Sequence, residues 1–590
     1  MPDCRSRAVA VGSRLGIRCM SVIHYSVLFA AILRILVDSV SGRLWLLIHM
    51  LSREQEEEQC LGRKLTDARR WLPQPGLRYD RRAMTRPSVA PESVHALAGA
   101  APPFAPRIGL AALVARVLAA ATRRLGRGGT ALPGLVAETL APDFVSTVAR
   151  QLSRGVVLLT GTNGKTTTAR MLAAILDRGS THLIHNAAGS NLSRGLSSSL
   201  AQRTSWRGRL RANEATLGLF EMDEAAFVRV APALRPRLAA FTNLLRDQLD
   251  RYGEVDAVAV RWQKALADTT PTPQLILNAD DPLVAGLGDA APGAFYFGVE
   301  APSEDRPTPE HAADIRVCPT CGQSLVYRRR FYAHLGHFRC PNGHRDRPTP
   351  AVRAVTVEAR GIEGTELELL CLPPVVPEAV TLRFFLPVGG LYNVYNALAA
   401  TTTALALGVA PTDAREALSS FTPAFGRMEQ VVLDGRTIYL SLAKNPTGLN
   451  QVVRLLAAEA DRTGPLSLLI ALNDLDADGR DISWIWDADL EELAQPGRVG
   501  TIVASGRRAA DLAVRLKYAG IAEASTAGIS PHLHQPAVVV EGDLRQALAQ
   551  AVHRTPAEGT LHVVPTYTAL LELRGLLTRQ GALRPYWRAA

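Results

Sequence analysis

Residues 156–170, VVLLTGTNGKTTTAR, constrain this chain more than any other stretch. Four β-favouring apolar residues run into a short loop holding Gly161 and Gly164. Lys165 and three threonines follow, and the amphipathic run MLAAILDR then reads as a helix stopped by Gly179. Strand, glycine loop and helix in that order make a phosphate cradle. The loop residues Gly161, Thr162, Asn163 and Gly164 bring backbone N–H groups against a polyphosphate, and the helix N-terminus adds the positive end of its dipole. Lys165 adds a point charge, and the hydroxyls of Thr166 and Thr167 follow, with Thr166 as the Mg²⁺ ligand. Leu159 stands where a full Walker A motif has its first glycine, so the motif is a shortened form, and an ordinary turn is the alternative. The chain has only five lysines (Lys64, Lys165, Lys264, Lys444, Lys517) among its 66 basic residues, which argues that a lysine here is not filler.

A chain of 590 residues has room for about three or four domains. Its net charge of +11 suggests nucleic acid at first sight. Up to Arg107, however, sixteen Arg and Lys stand against nine Asp and Glu, so most of the excess lies in the N-terminal extension. A solvated Arg-rich tail explains that better than a nucleic-acid arm. Seven cysteines, three of them clustered, fit a reducing compartment and one metal site rather than a disulfide framework.

Residues 1–105 differ from the rest. The apolar stretch 20–51 is interrupted by Arg34, Asp38 and Arg43, which suits neither a membrane span nor a signal peptide, and an Arg-, Pro- and Ala-rich linker follows it. The segment is expected to be a disordered extension or the product of an over-long start, with Met84 as a later start; an interfacial or spanning membrane anchor is the alternative. Residues 106–425 form the central nucleotide domain. It opens with a packing helix, IGLAALVARVLAAATRR, and continues as alternating strands and helices that imply a mainly parallel sheet covered on both faces. A Cys/His-rich insert occupies 311–350. A second α/β pattern fills 426–590, and no internal repeat is evident.

Strand C-termini in a parallel sheet open onto the crevice that holds the phosphate loop. Glu221 follows such a strand and is the carboxylate expected to share Mg²⁺ with Thr166, whereas Asp223 and Glu224 read as solvated carboxylates at a helix start. The next strand ends in TNLLRDQLDRYGE, with Asn243, Arg246, Asp247 and Asp250 in one turn, and the one after in LNADDP, where Asn278 and Asp281 offer contacts to a base or ribose. In the insert, Cys318 and Cys321 make one zinc knuckle and Cys340 begins a second. The residue three after Cys340 is Gly343, so the fourth ligand is displaced. His344 is the first substitute, His337 and His334 come next, and a metal-free ribbon remains open; a closed site of this kind is structural. Lys444 ends a strand at a crevice-facing position, with an exposed helix-start lysine as the alternative. The acidic run Asp474, Asp476, Asp478, Asp481, Asp487 and Asp489 surrounds Trp484 and Trp486, a pairing of aromatics and charges common at interfaces.

Taken together, GTNGKTTT, the NxDDP strand, the turn Gly426-Arg427-Met428-Glu429 and the domain order resemble the Mur ligases. The motifs HNAAGSNLSRG, RDQLDRYGE, YNVYNALAA, KNPTG, ADGRDISWIWD and PTYTALLELR, with the ribbon, are similar to the branch of that family that amidates lipid II; the likeness runs from about residue 107 to the C-terminus. The resemblance implies a Mur ligase-like α/β fold: a P-loop doubly wound central domain with an inserted zinc ribbon, and a Rossmann-like C-terminal domain. It implies a carbon–nitrogen ligase with glutamine as amido donor, in which ATP and Mg²⁺ phosphorylate the D-glutamate α-carboxylate of the lipid II stem peptide. Ammonia from a GatD-like glutamine amidotransferase then gives D-isoglutamine. Lys165 would hold phosphates, Thr166 and Glu221 magnesium, Asn278, Asp281 and Asn393 the nucleoside, and Arg427 the γ-phosphate on domain closure. Asp481 is the aspartate chosen from the acidic run to complete the partner's Cys-His pair, and Lys444 the contact to acyl phosphate or substrate carboxylate. Two family features are displaced: Gln248 replaces a usual histidine, and Lys264 is the candidate for a carbamylated lysine. The expected setting is the cytoplasm, peripheral to the membrane that carries lipid II, with no nucleic-acid partner. Two other readings stand beside this one: a Mur-type or folylpolyglutamate-type amino-acid ligase, and a zinc-ribbon nucleic-acid-binding ATPase that would use YRRRFYAHLGHFR.

Overall fold

The computed structural model describes residues 105–583, apart from 125–130, 179–180, 187–192, 212–215, 247–254, 292, 307, 309, 312–314, 316, 424–425 and 522–537. The expected N-terminal extension therefore lies outside the described residues, as do Asp247, Gln248 and Asp250.

β-Branched and leucine-rich runs build a nine-stranded sheet from β1 (Val156–Thr160), β2 (His182–His185), β3 (Thr216–Glu221), β4 (Leu238–Phe241), β5 (Gln274–Asn278), β6 (Phe295–Val299), β9 (Val352–Ala359), β10 (Thr365–Cys371) and β11 (Val380–Leu386). Its order is β11-β10-β9-β6-β5-β4-β1-β3-β2. The first six strands and β9 run parallel, and β10 and β11 close one edge antiparallel. Alternate side chains of one strand feed two different cores, as a period of two requires. Val157 and Leu159 pack under the helices Lys165–Arg178 and Leu391–Ala406. Val156 and Leu158 face the opposite layer, where the helices Pro106–Arg124, Glu224–Leu234 and Val255–Ala267 lie. Every residue of β1 is buried, so the phosphate loop hangs from the middle of a doubly covered sheet.

The insert contributes a hairpin, β7 (Val326–Tyr332) and β8 (Leu335–Arg339), that forms a two-stranded sheet of its own. The C-terminal sheet contains β12 (Arg427–Leu433), β13 (Arg436–Ser441), β14 (Leu466–Ala471), β15 (Val499–Ser505), β16 (Val538–Glu541) and β17 (Thr560–Pro565), in the order β12-β13-β17-β14-β15-β16. Only β12 runs antiparallel to its neighbour. Leu468 and Ile470 face the core of helix Pro446–Thr463, while Leu469 and Ala471 face that of Tyr567–Arg579. Among the described residues, no helix is long and apolar enough to cross a membrane.

Trp262 anchors the layer behind the phosphate loop. It is fully buried, its ring lies 5.1 Å from that of Phe241, and its indole N–H donates to the Glu224 carbonyl at 3.1 Å. Replacing it with alanine is expected to destabilise the central domain by about 3–5 kcal/mol, read as a lowered urea midpoint, whereas the same change at exposed Trp206 should stay within roughly 0.5 kcal/mol.

Candidate functional site at the domain crevice

The loop after β1 is held by side chains from two other elements. Gly161 and Gly164 have φ of +135° and +85°; a Cβ at Gly164 would meet Asn396 Oδ1 at 2.0 Å, and one at Gly161 would meet Thr242 Oγ1 at 2.2 Å. Asn243 clamps the loop from β4, accepting from the Asn163 N–H at 2.9 Å and donating to its carbonyl at 3.1 Å. Thr162 exchanges hydrogen bonds with Leu245. Thr168 donates to Asn396 at 3.2 Å, tying the helix behind the loop to Leu391–Ala406.

Thr166 donates to Glu221 Oε1 at 2.8 Å, so the two residues expected to share a magnesium ion meet at one point. Glu221 is buried, and Asn186 fixes it by pairing both its backbone N–H and its carbonyl. Lys165 curls over the loop, donating to the carbonyls of Gly161 and Thr162 and forming an ion pair of 3.3 Å with Glu224. Glu224 is thus not the solvated carboxylate expected from its place at a helix start: it is buried against the one cation of the loop, while Asp223 caps the helix by accepting from the Ala225 N–H. The strand-end pattern marked Glu221. Glu224 and Asn186 gave no signal because their partners are 59 and 35 residues away.

Asn278 and Asp281 sit beneath the crevice rather than on its surface. Both are fully buried. Asn278 donates to the Thr242 carbonyl and accepts from the Asp280 N–H. Asp281 caps a short helix through the N–H groups of Leu283 and Val284 and accepts from Leu244 N–H at 2.7 Å. Their polar atoms hold the strand ends together. Asn393 instead lines a small cavity beside the loop helix with Thr167, Arg170, Phe421 and Arg427. Burial lowers the pKa of both arginines; Glu429 partly offsets this at Arg170 and Glu221 at Arg427, and Arg427 adds repulsion at Arg170. Two guanidiniums beside a glycine loop suit a polyanion. Lys264 lies on the exposed side of its helix, not at the Thr166 and Glu221 pair.

The C-terminal domain reaches the loop directly. Arg427 Nη2 approaches Thr166 Oγ1 at 3.4 Å, and Asn445, the N-cap of Pro446–Thr463, donates to Asn163 Oδ1 at 3.0 Å. Asn445 is a site residue that sequence reasoning passed over; its Asn-Pro helix start was the available signal. Lys444, Asp481, Arg246 and Trp484 line one open cleft between the domains. Within the acidic run, Asp474, Asp476, Asp487 and Asp489 pair with Arg507, Arg480, Arg246 and His311. Asp478 is buried and accepts from the Thr568 N–H and hydroxyl. Asp481 is exposed, and the Ser483 N–H holds its carboxyl below the usual carboxylate range.

In the insert, one ligand atom each from Cys318, Cys321, Cys340 and His344 lies within 4.8 Å of the others. The Cys321 to Cys340 and Cys340 to His344 separations are 3.5 and 3.9 Å. A tetrahedron with Zn–S of about 2.3 Å has edges of about 3.7 Å, so the donor set fits zinc. The displaced ligand has a backbone cause. In the first knuckle Gly322 takes positive φ and donates to the Cys318 carbonyl four residues back; in the second, Gly343 does the same one residue earlier, to Cys340. The turn is one residue tighter, so the ligand comes one residue later. His334 and His337 are buried elsewhere, beside Asp281 and the Val299 carbonyl. Phe331, Tyr332 and Phe338 are buried too, which removes the stacking surface that a nucleic-acid reading of this run needs.

A phosphate loop on a doubly wound sheet, an inserted ribbon and a C-terminal α/β domain that touches the loop define a Mur-type ligase, and the Mur ligase middle domain model matches residues 159–324. The fold agrees: the pseudomurein peptide ligase type C from Methanothermus fervidus superposes with a TM-score of 0.52 at 22% identity, covering 72% of this chain and 78% of that one. The MurT ligase C-terminal model matches residues 442–570. The lipid II isoglutaminyl synthase (glutamine-hydrolyzing) subunit MurT of Staphylococcus aureus strain COL is 30% identical over 79% of this chain and 97% of its own length; that of Streptococcus pneumoniae R6 is 30% identical over 78% and 95%. The chain belongs to the MurT family.

The segment that joins the domains rests on a largely buried ion pair. Glu429 accepts from the Gly426 N–H at 2.9 Å and pairs with Arg574. Arg574→Ala leaves that carboxylate only the Gly426 N–H and the charge of Arg170, and is expected to cost about 3 kcal/mol, the low end for a broken buried pair, measured by urea unfolding of the full chain; Arg383→Ala, at an exposed pair, should cost about 1 kcal/mol at most.

Proposed function

We propose that the chain is the ligase subunit of a two-subunit enzyme that converts the D-glutamate α-carboxylate of the lipid II stem peptide to the D-isoglutamine amide. It uses ATP, Mg²⁺ and ammonia from a GatD-like glutamine amidotransferase. The observation that carries this reading is the meeting of Thr166, Glu221 and Arg427 at one point of the crevice, in a chain that spans nearly the whole length of relatives bearing that enzyme's name.

A carboxylate is a poor electrophile, and phosphorylation gives its carbon a leaving group. A carboxylate oxygen attacks the γ-phosphorus and ADP leaves. The ammonia nitrogen then attacks the acyl carbon, phosphate departs with the C–O electron pair, and the nitrogen loses a proton. Thr166 and Glu221 would hold magnesium, which would supply charge neutralisation at the phosphates. Lys165 leaves Glu224 to meet the phosphates; Arg427, already at Thr166, neutralises the γ-phosphoryl group from the C-terminal side. Asn393 contacts the nucleoside, while Asn278 and Asp281 brace the strand ends beneath the crevice. Lys444 holds the substrate carboxylate in the interdomain cleft. Asp481, ionised and exposed at the same cleft, orients the partner's histidine, for which Asp478 is too enclosed.

Mass spectrometry of lipid II after incubation with the chain, ATP-Mg²⁺ and either ammonium or glutamine plus partner should show the mass decrease of an OH-to-NH₂ exchange on D-glutamate. Glu221→Ala should slow that reaction by about 10²–10³-fold. ATP hydrolysis that depends only on a free amino acid, with lipid II unchanged, would assign the chain to the amino-acid ligases instead.

The ribbon binds zinc structurally through Cys318, Cys321, Cys340 and His344. His344→Ala should lose metal to a chelator that the parent chain and His344→Cys both withstand, as read by elemental mass spectrometry; equal retention in the alanine variant would remove His344 from the ligand set.

A further inference from the structure

The helix Pro106–Arg124 carries its large apolar residues on the wrong side for an ordinary surface helix. Its inward face is Ile108 and the alanines Ala111, Ala112, Ala115 and Ala119, all buried. Its outward face presents Leu110, Leu113 and Val117, which are 57%, 43% and 54% exposed. A helix that is apolar all round normally has cover on both sides. Beside its first turn, Gly109 backs onto the Trp206 carbonyl so closely that a Cβ would stand 1.9 Å away, and Trp206 itself is 58% exposed. The Arg207 guanidinium lies 4.7 Å over the Trp206 ring.

The charge of the helix and of the segment beside it has one sign, set against Glu138 and Asp143 on the neighbouring helices. The helix contains four arginines and no acidic residue, and so does the segment 203–211, RTSWRGRLR. Aliphatic side chains with an exposed tryptophan at one end and arginines about them match the depth profile of a lipid interface. Acyl chains meet the leucines, the indole sits at headgroup level, and anionic headgroups meet the guanidiniums. A nucleic acid would use the arginines but leave the aliphatic row in water. The helix packs against Ser193–Arg203, which follows the edge strand β2, so the face lies on the outer edge of the nucleotide sheet.

We propose that the outward face of helix Pro106–Arg124, together with Trp206, docks the enzyme on an anionic lipid surface. The purpose of such docking rests on the reading that the substrate is membrane-anchored; the surface itself does not. Docking restricts the search for a lipid-borne substrate to two dimensions and turns one side of the central domain to the bilayer.

The test is sedimentation of the full chain with vesicles of phosphatidylglycerol and phosphatidylcholine, or of phosphatidylcholine alone. Binding is expected to need the anionic lipid, to weaken as salt rises, and to fall by about tenfold or more in Leu110→Ser/Leu113→Ser/Val117→Ser. Trp206→Ala, an exposed change outside the helix, should weaken binding by itself and guards against a folding artefact in the triple variant. Amidation of lipid II in detergent micelles should be the same for the triple variant and the parent, and amidation in vesicles slower for the variant. Unchanged vesicle binding in both variants would overturn the proposal and assign membrane affinity to residues 1–104. Absence of vesicle binding by the parent chain, with duplex DNA bound through the same residues, would overturn it in favour of a nucleic-acid surface. Failure of the parent to amidate in either format counts against the proposed reaction and leaves vesicle binding to be read separately.

Discussion

The arrangement of the whole chain depends on how tightly the backbone after β1 is gripped. Two glycines with positive φ let the loop pass within contact distance of Thr242 and Asn396, and no residue with a Cβ fits at either position without moving those groups. Asn243 from β4 and Asn396 from the helix Leu391–Ala406 then fix the loop from opposite sides. Those two residues are 153 positions apart, so the phosphate loop acquires its shape only once the sheet and the late helix have both assembled. Much of the buried polar chemistry nearby serves the same end. Asn278, Asp280 and Asp281 use their side chains to join the ends of β4, β5 and β6, which keeps the crevice floor rigid where charge develops during phosphoryl transfer.

Lys165 shows what that rigidity is for. A buried ammonium needs anions or carbonyls around it, and Glu224 with two loop carbonyls supplies them. The cation is therefore held close to the loop, already out of water and surrounded by oxygens. Glu221 is held differently, by Asn186 on its backbone, while its carboxylate accepts from the Thr166 hydroxyl.

The parts of this structure that were legible in the sequence are those in which residues close together in the chain act together. The strand, loop and helix around Lys165, the alternation of strands and helices, the first zinc knuckle and the acidic run all fall in that class. The residue at the end of β3 was legible because parallel sheets put strand ends at the crevice. What escaped depended on distant partners. Glu224 looked like an exposed helix-start carboxylate because nothing within the helix announces Lys165. Asn278 and Asp281 looked like ligand contacts because their location was right; only the register of neighbouring strands shows that their polar atoms are already engaged. The ribbon is an intermediate case. The absence of a cysteine at Gly343 was visible, but the tighter turn that brings His344 to the three cysteines is a property of backbone torsion, which residue spacing alone does not report.

The insert also bears on the angle between the domains, through contacts away from its Cys/His cluster. The segment leading into it pairs with the C-terminal domain along a single line: Arg306 with Glu492, Glu310 with Asn450 and Arg454, and His311 with Asp489. Asn450 and Arg454 are one turn apart on Pro446–Thr463, the same helix whose N-cap, Asn445, touches the phosphate loop. Arg454 is buried and its pKa is lowered to about 10, chiefly by that burial and then by Arg306, while Glu492 and Asp489 act the other way. A helix fixed at its start by the loop and along its length by the insert cannot rotate about either contact alone. Lys444, next to the N-cap of this helix, is therefore held at the cleft by two constraints that originate in the central domain, and a change in the segment leading into the insert reaches it through this helix.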